Sequence, residues 1–374
     1  MREVIYTEED YVREEFYDKF RCKQGACAHC CCEGWNITVS MKEYFRLVGL
    51  RCGKKLRSEL DVAFHPVEDE ADEERYAFIA PDFFGSCPMR RSDGLCRLQT
   101  ECGENVLPAV CRTYPRSIRN DLGEAALSNS CEGVVETLFG IGAPMKFVGE
   151  IRERGDIPYY GDLRNKTEEI LQNEKVPFVS RTEYVGELLT AVRDSRGKGL
   201  AAIDGFVPSE QKYRADGAER MRGIIGLVKW IGDSSAGENE LCSKILGVLE
   251  ADKNDNETSA KIFETRKKEF YNRFPDAEKY LEQIFVNHIF YEKFPFVSKN
   301  TDFEGEYRAL CAAYSYIMAV FVCGTDTADK ISLAAAAADA FRFIAHSDFD
   351  RAASELLPLF GFRNADALEN FIGA

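Results

Sequence analysis

The sequence predicts a mainly α-helical protein: a cysteine-rich, metal-stapled N-terminal region with short strands, followed by an α-helical bundle that forms a cleft with it. Three observations predict this. Eleven of the fourteen cysteines precede residue 132, an asymmetry that packing alone does not produce. From about residue 134, apolar residues recur at i, i+3, i+4 and i+7, the spacing of one helix face. Strand-like stretches are short and lie in the first part. The expected division is 1–135 for the metal or iron–sulfur region and 136–374 for the helical domain, with the boundary resting on a change of composition.

Taken in order, Thr7-Glu-Glu-Asp10 ahead of Val12, Phe16 and Phe20 predicts a short capped helix leading into the first cysteines. Ile37-Thr-Val-Ser40 reads as a brief extended piece. Ser40-Met-Lys-Glu43 is a capping-box pattern, with Tyr44, Leu47 and Val48 at helical spacing behind it. Residues 65–75 are acidic and poor in apolar side chains, as a solvated loop would be. Arg75–Ala80 and Ala125–Ser128 read as strands, while Gly94 and Pro108 punctuate loops and short helices.

In the second part, Ser180-Arg-Thr-Glu183 repeats the capping-box pattern ahead of Val185, Leu188, Leu189 and Val192. Ile224, Leu227, Val228 and Ile231 mark one helix face, and Leu310, Tyr314, Ile317, Met318 and Phe321 another. Leu333–Ile344 is alanine-rich and helical by propensity. Asp204–Pro208 and Ser234–Gly237 read as loops. No tandem repeat or low-complexity linker interrupts this order.

The chain has 374 residues, a formal charge of −15 and a pI near 5.0. Its size and 45% hydrophobic content allow a real core, so the cysteines are not needed to rescue a domain too small to fold. The acidity argues against sequence-independent nucleic-acid binding and against anionic membranes as partners. It is compatible with a basic protein substrate. The first residues carry no apolar signal core, and no run approaches the roughly 18 uninterrupted apolar residues of a membrane span. A cytoplasmic location is the expectation, and in that compartment clustered thiols bind metal rather than form disulfides.

Thiolates suit zinc, cuprous copper and iron–sulfur clusters. Cys27, Cys30, Cys31, Cys32, Cys87, Cys96, Cys111 and Cys131, with Cys22 as a further candidate, exceed the four ligands of one zinc or one cubane cluster. Adjacent residues such as Cys31 and Cys32 can both ligate only if the backbone folds tightly or two metals are present. Gly25 and Gly34 give the loop freedom for that. Cys242, Cys311 and Cys323 lie in helical apolar patterns and read as buried small hydrophobes, as do the isolated Cys52 and Cys102. His29 reads as an exposed side chain, with a zinc-ligand role as the alternative. Spacing alone leaves zinc and iron–sulfur both open. Cys27-x-x-Cys30 has no partner knuckle, and the CxxxCxxC motif of radical S-adenosylmethionine enzymes is absent because position 34 is glycine.

Several segments together carry a family likeness. They are Cys22; Cys27-Ala-His-Cys-Cys-Cys32-Glu-Gly-Trp35; Cys87-Pro; Gly94-Leu-Cys96; Gly103-Glu-Asn-Val-Leu107; Cys111-Arg-Thr-Tyr-Pro-Arg116; Leu127-Ser-Asn-Ser-Cys131; and Asn287 through Phe294-Pro-Phe296. In this order the sequence resembles the flagellin lysine-N-methylase family of the FliB type. The cysteine part is shared in weaker form with a wider group of small zinc- or iron-chelating domains. The resemblance implies an iron–sulfur protein, with a 4Fe–4S cluster, that transfers methyl groups from S-adenosylmethionine to lysines of flagellin. It implies the ligand candidates Cys22, Cys27, Cys31, Cys32, Cys87, Cys96, Cys111 and Cys131. Cys30 is extra to the family spacing, and Glu132 stands where a proline is usual.

Residues beside these ligands are candidates for holding the cofactor. Arg112, Tyr114 and Arg116 flank Cys111. Arg116 could pair with a carboxylate or a negative cluster, or form an ordinary salt bridge. Trp35 packs over the cysteine loop or lines a cofactor pocket. Asn287 and His288 read as a satisfied, partly buried polar pair or as part of a substrate pocket. No catalytic residue is assigned. Because no Gly-rich turn follows a strand, the usual doubly wound cofactor domain is not expected. The alternative to the methylase is a non-enzymatic module stapled by zinc or an iron–sulfur cluster, whose helical half binds a partner.

Overall fold

The computed structural model describes residues 11–373 except 34, 68–71, 84, 143, 210–215, 236–238, 251–252, 254 and 298–301. In chain order, β1 (Arg13–Glu14) and 3-10 turns at Tyr17–Lys19 and Gln24–Ala26 precede β2 (Ile37–Val39), α1 (Met41–Val48) and α2 (Lys54–Ala63). Then come β3 (Phe64–Pro66), β4 (Ala77–Ile79), α3 (Arg97–Cys102), α4 (Ala109–Thr113) and β5 (Arg116–Arg119). β6 (Glu124–Leu127), α5 (Glu132–Gly140) and β7 (Phe147–Val148) follow. The remainder is helical: α6 (Tyr160–Leu171), α7 (Phe178–Asp194), α8 (Gly199–Asp204), α9 (Gly217–Ser234), α10 (Glu240–Val248) and α11 (Asn256–Arg273). Last are α12 (Ala277–Glu292), α13 (Phe303–Ala319), α14 (Lys330–His346), α15 (Phe349–Leu359) and α16 (Ala365–Ile372). The mainly α class expected from the sequence is the class observed.

The chain forms two compact units, Arg21–Ser117 and Met1–Phe20 with Ile118–Ala374. The division therefore falls at 117/118 rather than at 135, and the segment before Phe20 goes with the helices. Its apolar side chains explain why: Tyr11, Val12, Phe16, Tyr17 and Phe20 are buried in the core of the larger unit. β1 pairs with β7, and Val12 bridges Glu124. Among the described residues of this segment the expected helix is not formed. The described part is β1 and one 3-10 turn, while Thr7–Asp10 lie outside the described residues.

In the smaller unit, β2, β4 and β3 form an antiparallel sheet with Ile79 opposite both Ile37 and Phe64. It packs with α1, α2 and α3 through Val39, Leu47, Leu56, Leu60 and Leu98. The capping box at Ser40 is present: Ser40 Oγ accepts from the Glu43 amide, and Glu43 Oε2 accepts from the Ser40 amide at 3.0 Å. The second Glu43 oxygen accepts from the Ala109 amide at 2.5 Å, which ties the start of α4 to α1. Of the expected loop 65–75, His65 and Pro66 are in β3, 68–71 lie outside the described residues, and Asp72 closes a turn by accepting from the Glu74 and Arg75 amides.

In the larger unit, α12 and α13 run through the middle of the core, and α13 continues through a π turn at Val320–Gly324. The stretch Phe303–Gly324 is long and apolar enough to cross a membrane, but 94% of its most apolar window is buried inside the unit, as in a core helix. α7 starts at Phe178, behind Pro177, so Ser180 is a buried helical residue and not a cap. Glu278 of α12 takes over the capping role by accepting from the Phe178 amide at 2.6 Å. Ala236 and Gly237 of the expected Ser234 loop lie outside the described residues. Buried ion pairs among the described residues of this core include Arg164 with Glu124 and Arg181 with Glu282, each at 2.5 Å.

Candidate metal centre

The cysteine loop begins at Cys22, whose Sγ accepts from the Gln24 amide at 3.2 Å. Gly25 then passes against Gly94. A Cβ on Gly25 would lie 2.6 Å from the Asp93 carbonyl oxygen, and one on Gly94 would lie 2.8 Å from the Gly25 Cα. Gly94 also has a φ of +79°, which side chains disfavour. Only two glycines allow the loop bearing Cys22–Cys32 to lie directly on the loop bearing Cys87–Cys96. Gly34, expected to share this part, lies outside the described residues.

Cys30, Cys31 and Cys32 have Sγ atoms within 4.8 Å of one another. Adjacent side chains converge because the backbone turns tightly: the Glu33 amide donates to the Cys30 carbonyl, and the Cys32 amide to Cys30 Sγ at 3.4 Å. The second loop is stitched to this turn. The Cys87 amide donates to the Cys32 carbonyl at 2.7 Å, and Glu33 bridges Ser86. Glu33 pairs with Arg90 through one oxygen and accepts the Cys30 amide at 3.2 Å through the other. The Arg90 backbone forms an antiparallel β-bridge with that of Cys96.

A shared feature marks four of these sulfurs. Cys22 and Cys30 accept the amide two residues on; Cys87 accepts from Met89 and Arg90, and Cys96 from Leu98 and Gln99. Amides aimed at sulfur stabilise the thiolate, the form that binds metal. The electrostatics confirm that the thiols are neighbours. Burial pushes Cys87 up to about 11, and the charges of Cys96 and Cys30 add to it. Cys111 is exposed as a residue, yet burial of its thiol and then Cys87, Cys96 and Cys31 push it up. Cys31 is held up at about 12 by its bond with Cys30, whereas bonds from Cys31 and Cys32 pull Cys30 down to about 2. The shared bonds favour the thiolate at Cys30 and disfavour it at Cys31.

The thiols of Cys22, Cys30, Cys31, Cys32, Cys87, Cys96 and Cys111 thus share one neighbourhood. Cys30, the residue extra to the family spacing, is at its centre. Cys27 follows the Gln24–Ala26 turn, half-buried. Cys131 belongs to the larger unit, where it precedes α5 and packs on that unit's core. Cys52 and Cys102 form a separate pair at the core of the smaller unit. Cys242, Cys311 and Cys323 are buried core residues, as their patterns suggest. His29 is exposed. Trp35 packs on Tyr114 with ring centroids 5.7 Å apart and on the core of its unit. Arg112 is exposed at the last turn of α4, and Arg116 is half-buried in β5. Sequence reasoning missed Glu33 and Arg90, which carry no signal apart from lying beside the cysteines. A sulfur set of this size, with amides aimed at it, suits zinc or an iron–sulfur cluster.

In the larger unit, two segments singled out by sequence meet. Asn287 of α12 donates to the Leu127 carbonyl and to Asn129 Oδ1, both at 2.7 Å, and Asn129 donates to the Ile284 carbonyl at 2.7 Å. His346 reaches Ser130 Oγ at 3.1 Å, and Ser130 bonds Ser128. Asn287 is completely buried and therefore acts as a tie between β6 and α12. His288 packs on Phe285 and Phe341, and burial lowers it to about 4.

Residues 164–334 match the family described as FliB lysine N-methylase C-terminal domain. The chain is 27% identical over 144 residues to the lysine-N-methylase of Salmonella typhimurium and 26% identical over 147 residues to that of Salmonella choleraesuis. Each stretch covers 37% of this chain and 33% of the relative, so the match spans about a third of those proteins. The flagellar biosynthetic protein FliU of Salmonella muenchen is 26% identical over 147 residues, which is 37% of this chain and 79% of that protein. No solved structure gives a significant match. The matched domain runs from α6 into α14 and includes the Asn287 segment, and by it the chain is related to the FliB-type lysine N-methylases.

Proposed function

We propose that this chain is a protein-lysine N-methyltransferase that uses S-adenosylmethionine, carries an iron–sulfur cluster of the 4Fe–4S kind, and acts on flagellin in the cytoplasm. The match of residues 164–334 to the FliB lysine N-methylase C-terminal domain carries this reading. In the reaction the neutral lysine amine forms a bond to the methyl carbon as the sulfonium C–S bond breaks. The cofactor leaves as a thioether, and the nitrogen gives up a proton. An unperturbed lysine near pKa 10.4 is protonated, so desolvation or a base must first supply the neutral amine.

The thiols of Cys30, Cys31, Cys32, Cys87, Cys96 and Cys111, with Cys22 beside them, fit a cluster by number, by softness and by the amides aimed at their sulfurs. When bound, the cluster would supply iron able to take the amine and carboxylate of the cofactor's methionyl end. Trp35, Arg112, Tyr114 and Arg116 are the proposed cofactor neighbours. The test is anaerobic purification with iron, sulfide and zinc analysis, followed by transfer of labelled methyl from S-adenosylmethionine to flagellin. About four irons and four sulfides per chain, with label on flagellin lysines, support the reading; an iron-loaded chain that transfers no label refutes it.

A second reading, a non-enzymatic metal staple, is favoured by the small core of the Arg21–Ser117 unit. Stoichiometric zinc without iron, and no methyl transfer, would select it.

A further inference from the structure

Arg90 brings a fixed positive charge among the thiols of the smaller unit. Its amide donates to the Cys87 carbonyl at 2.9 Å, its backbone forms a β-bridge with that of Cys96, and its guanidinium acts on Cys30. The other arginines of the second cysteine loop are engaged with carboxylates: Arg91 pairs with Asp93 at 2.6 Å, and Arg97 with Glu59 at 2.9 Å.

Glu33 fixes the place of the Arg90 side chain. One of its oxygens accepts from Arg90 Nη1, and the other accepts the Cys30 amide at 3.2 Å. A single carboxylate thus ties the guanidinium of one loop to the turn of the other. Ser86 Oγ lies 3.5 Å from the same Nη1. The side chains of Arg90 and Glu33 are 25% and 30% exposed, too covered to be a freely moving surface pair. The remaining edge of the guanidinium is unused. Arg90 Nε is buried and has no hydrogen-bond partner among the described residues. A buried N–H without an acceptor costs free energy, and an arginine fork can serve separate acceptors through Nη and Nε. The chemistry gathered here is sulfur, and a thiolate-held cluster adds more sulfur and a net negative charge.

We propose that Arg90 is a positioning residue of the metal centre: held by Glu33, it fixes the Cys30 turn against the Cys87–Cys96 loop and keeps its Nε–H as a donor to sulfur of the cluster, so that it sets the cluster's reduction potential. The inference rests on the iron–sulfur reading of the cysteine site. A cation and an N–H donor beside an anionic cluster favour the state with one more electron. The Glu33 carboxylate opposes that effect by its charge. The two members of the pair therefore act on the potential with opposite signs, which a purely structural staple would not do.

The test uses the full chain, purified anaerobically as wild type, Arg90→Gln, Arg90→Lys and Glu33→Gln. Each is analysed for iron and sulfide, then titrated reductively and followed by visible absorption and electron paramagnetic resonance. Arg90→Gln, which loses the charge, is expected to lower the midpoint potential. Arg90→Lys keeps the charge and loses the Nε–H, and is expected to fall between Arg90→Gln and wild type. Glu33→Gln keeps an acceptor for the Cys30 amide and is expected to raise the potential. A wild-type potential in both Arg90 variants, or a shift of the same sign in Arg90→Gln and Glu33→Gln, would overturn the inference. Loss of the cluster from Arg90→Lys as well as Arg90→Gln would also overturn it, by leaving Arg90 a structural role alone. The outcomes part the inference from its premise. Iron and sulfide in the wild type with potentials indifferent to Arg90 refute the inference and keep the cluster; zinc without iron in the wild type refutes both.

Discussion

At the residue scale, the cysteines differ in kind according to what their sulfurs meet. Cys30 has thiol neighbours, an amide aimed at its sulfur and Arg90 nearby; Cys102 has only Cys52 and a carboxylate. Cys30→Ser is therefore expected to lower the metal bound per chain, and Cys102→Ser to leave it unchanged, as read by metal analysis of purified variants. Gly94→Ala is expected to be as harmful as a ligand change, because the new methyl would strike the Gly25 Cα at a positive φ. A loss of about 2 kcal/mol in the smaller unit would show as a lower melting temperature. A further residue prediction concerns Glu14, wholly buried, with one oxygen accepting the Leu127 amide at 2.9 Å and the other without a partner. Burial raises its carboxyl to about 7. In the unfolded chain it ionises near 4.5, so the fold holds the proton more tightly, and stability present below pH 4.5 is lost as pH rises toward 7. Glu14→Gln keeps the acceptor and removes the titration. Urea unfolding of both proteins is expected to show the variant more stable by about 2–3 kcal/mol at pH 8, with the gap closing toward pH 4.

At the element scale, the helices were legible where period and burial agree. Ile224, Leu227, Val228 and Ile231 all face the core of α9, and Ser40–Glu43 caps α1 as its spacing requires. The failures have physical causes. At Ser180 the local signal was outcompeted by Pro177 and by Glu278, a cap supplied from a helix a hundred residues away. At Val12–Phe20 the apolar pattern was real, but pairing with β7 made it strand and turn. The cysteine set was legible by residue type, yet the convergence of three consecutive thiols depends on a turn that spacing does not reveal. The long-range ties also make a prediction. Arg164 holds Glu124 at 2.5 Å, with both side chains 2% exposed, and donates to the Phe290 carbonyl. Arg164→Leu leaves the buried Glu124 carboxylate with only the longer Arg119 ion pair at 3.5 Å and is expected to cost about 2–4 kcal/mol in urea unfolding.

At the scale of the whole molecule, the two units draw stability from different sources. The larger has an extensive apolar core knit by α12 and α13; the smaller has a modest core beside a dense group of thiols. Removal of metal by a chelator is therefore expected to lower the melting of the smaller unit and leave that of the larger one in place, so that calorimetry of the stripped chain shows two transitions. One merged transition that shifts as a whole would contradict this.

The order of these units along the chain has a consequence for assembly. Arg21–Ser117 leaves the helical body at Phe20 and returns to it at Ile118, so it is a guest inserted into a host rather than a domain placed ahead of one. Both ends of the guest are anchored. If it melts, it becomes a closed loop, and the entropy of closing a loop grows only slowly with its length. The host should tolerate an empty, unfolded or even excised guest: a chain in which a short Gly-Ser bridge joins Phe20 to Ile118 is expected to fold as the helical body. In the cell, the larger unit could then form before any metal arrives, and loading would become a late, separable event on a scaffold already built.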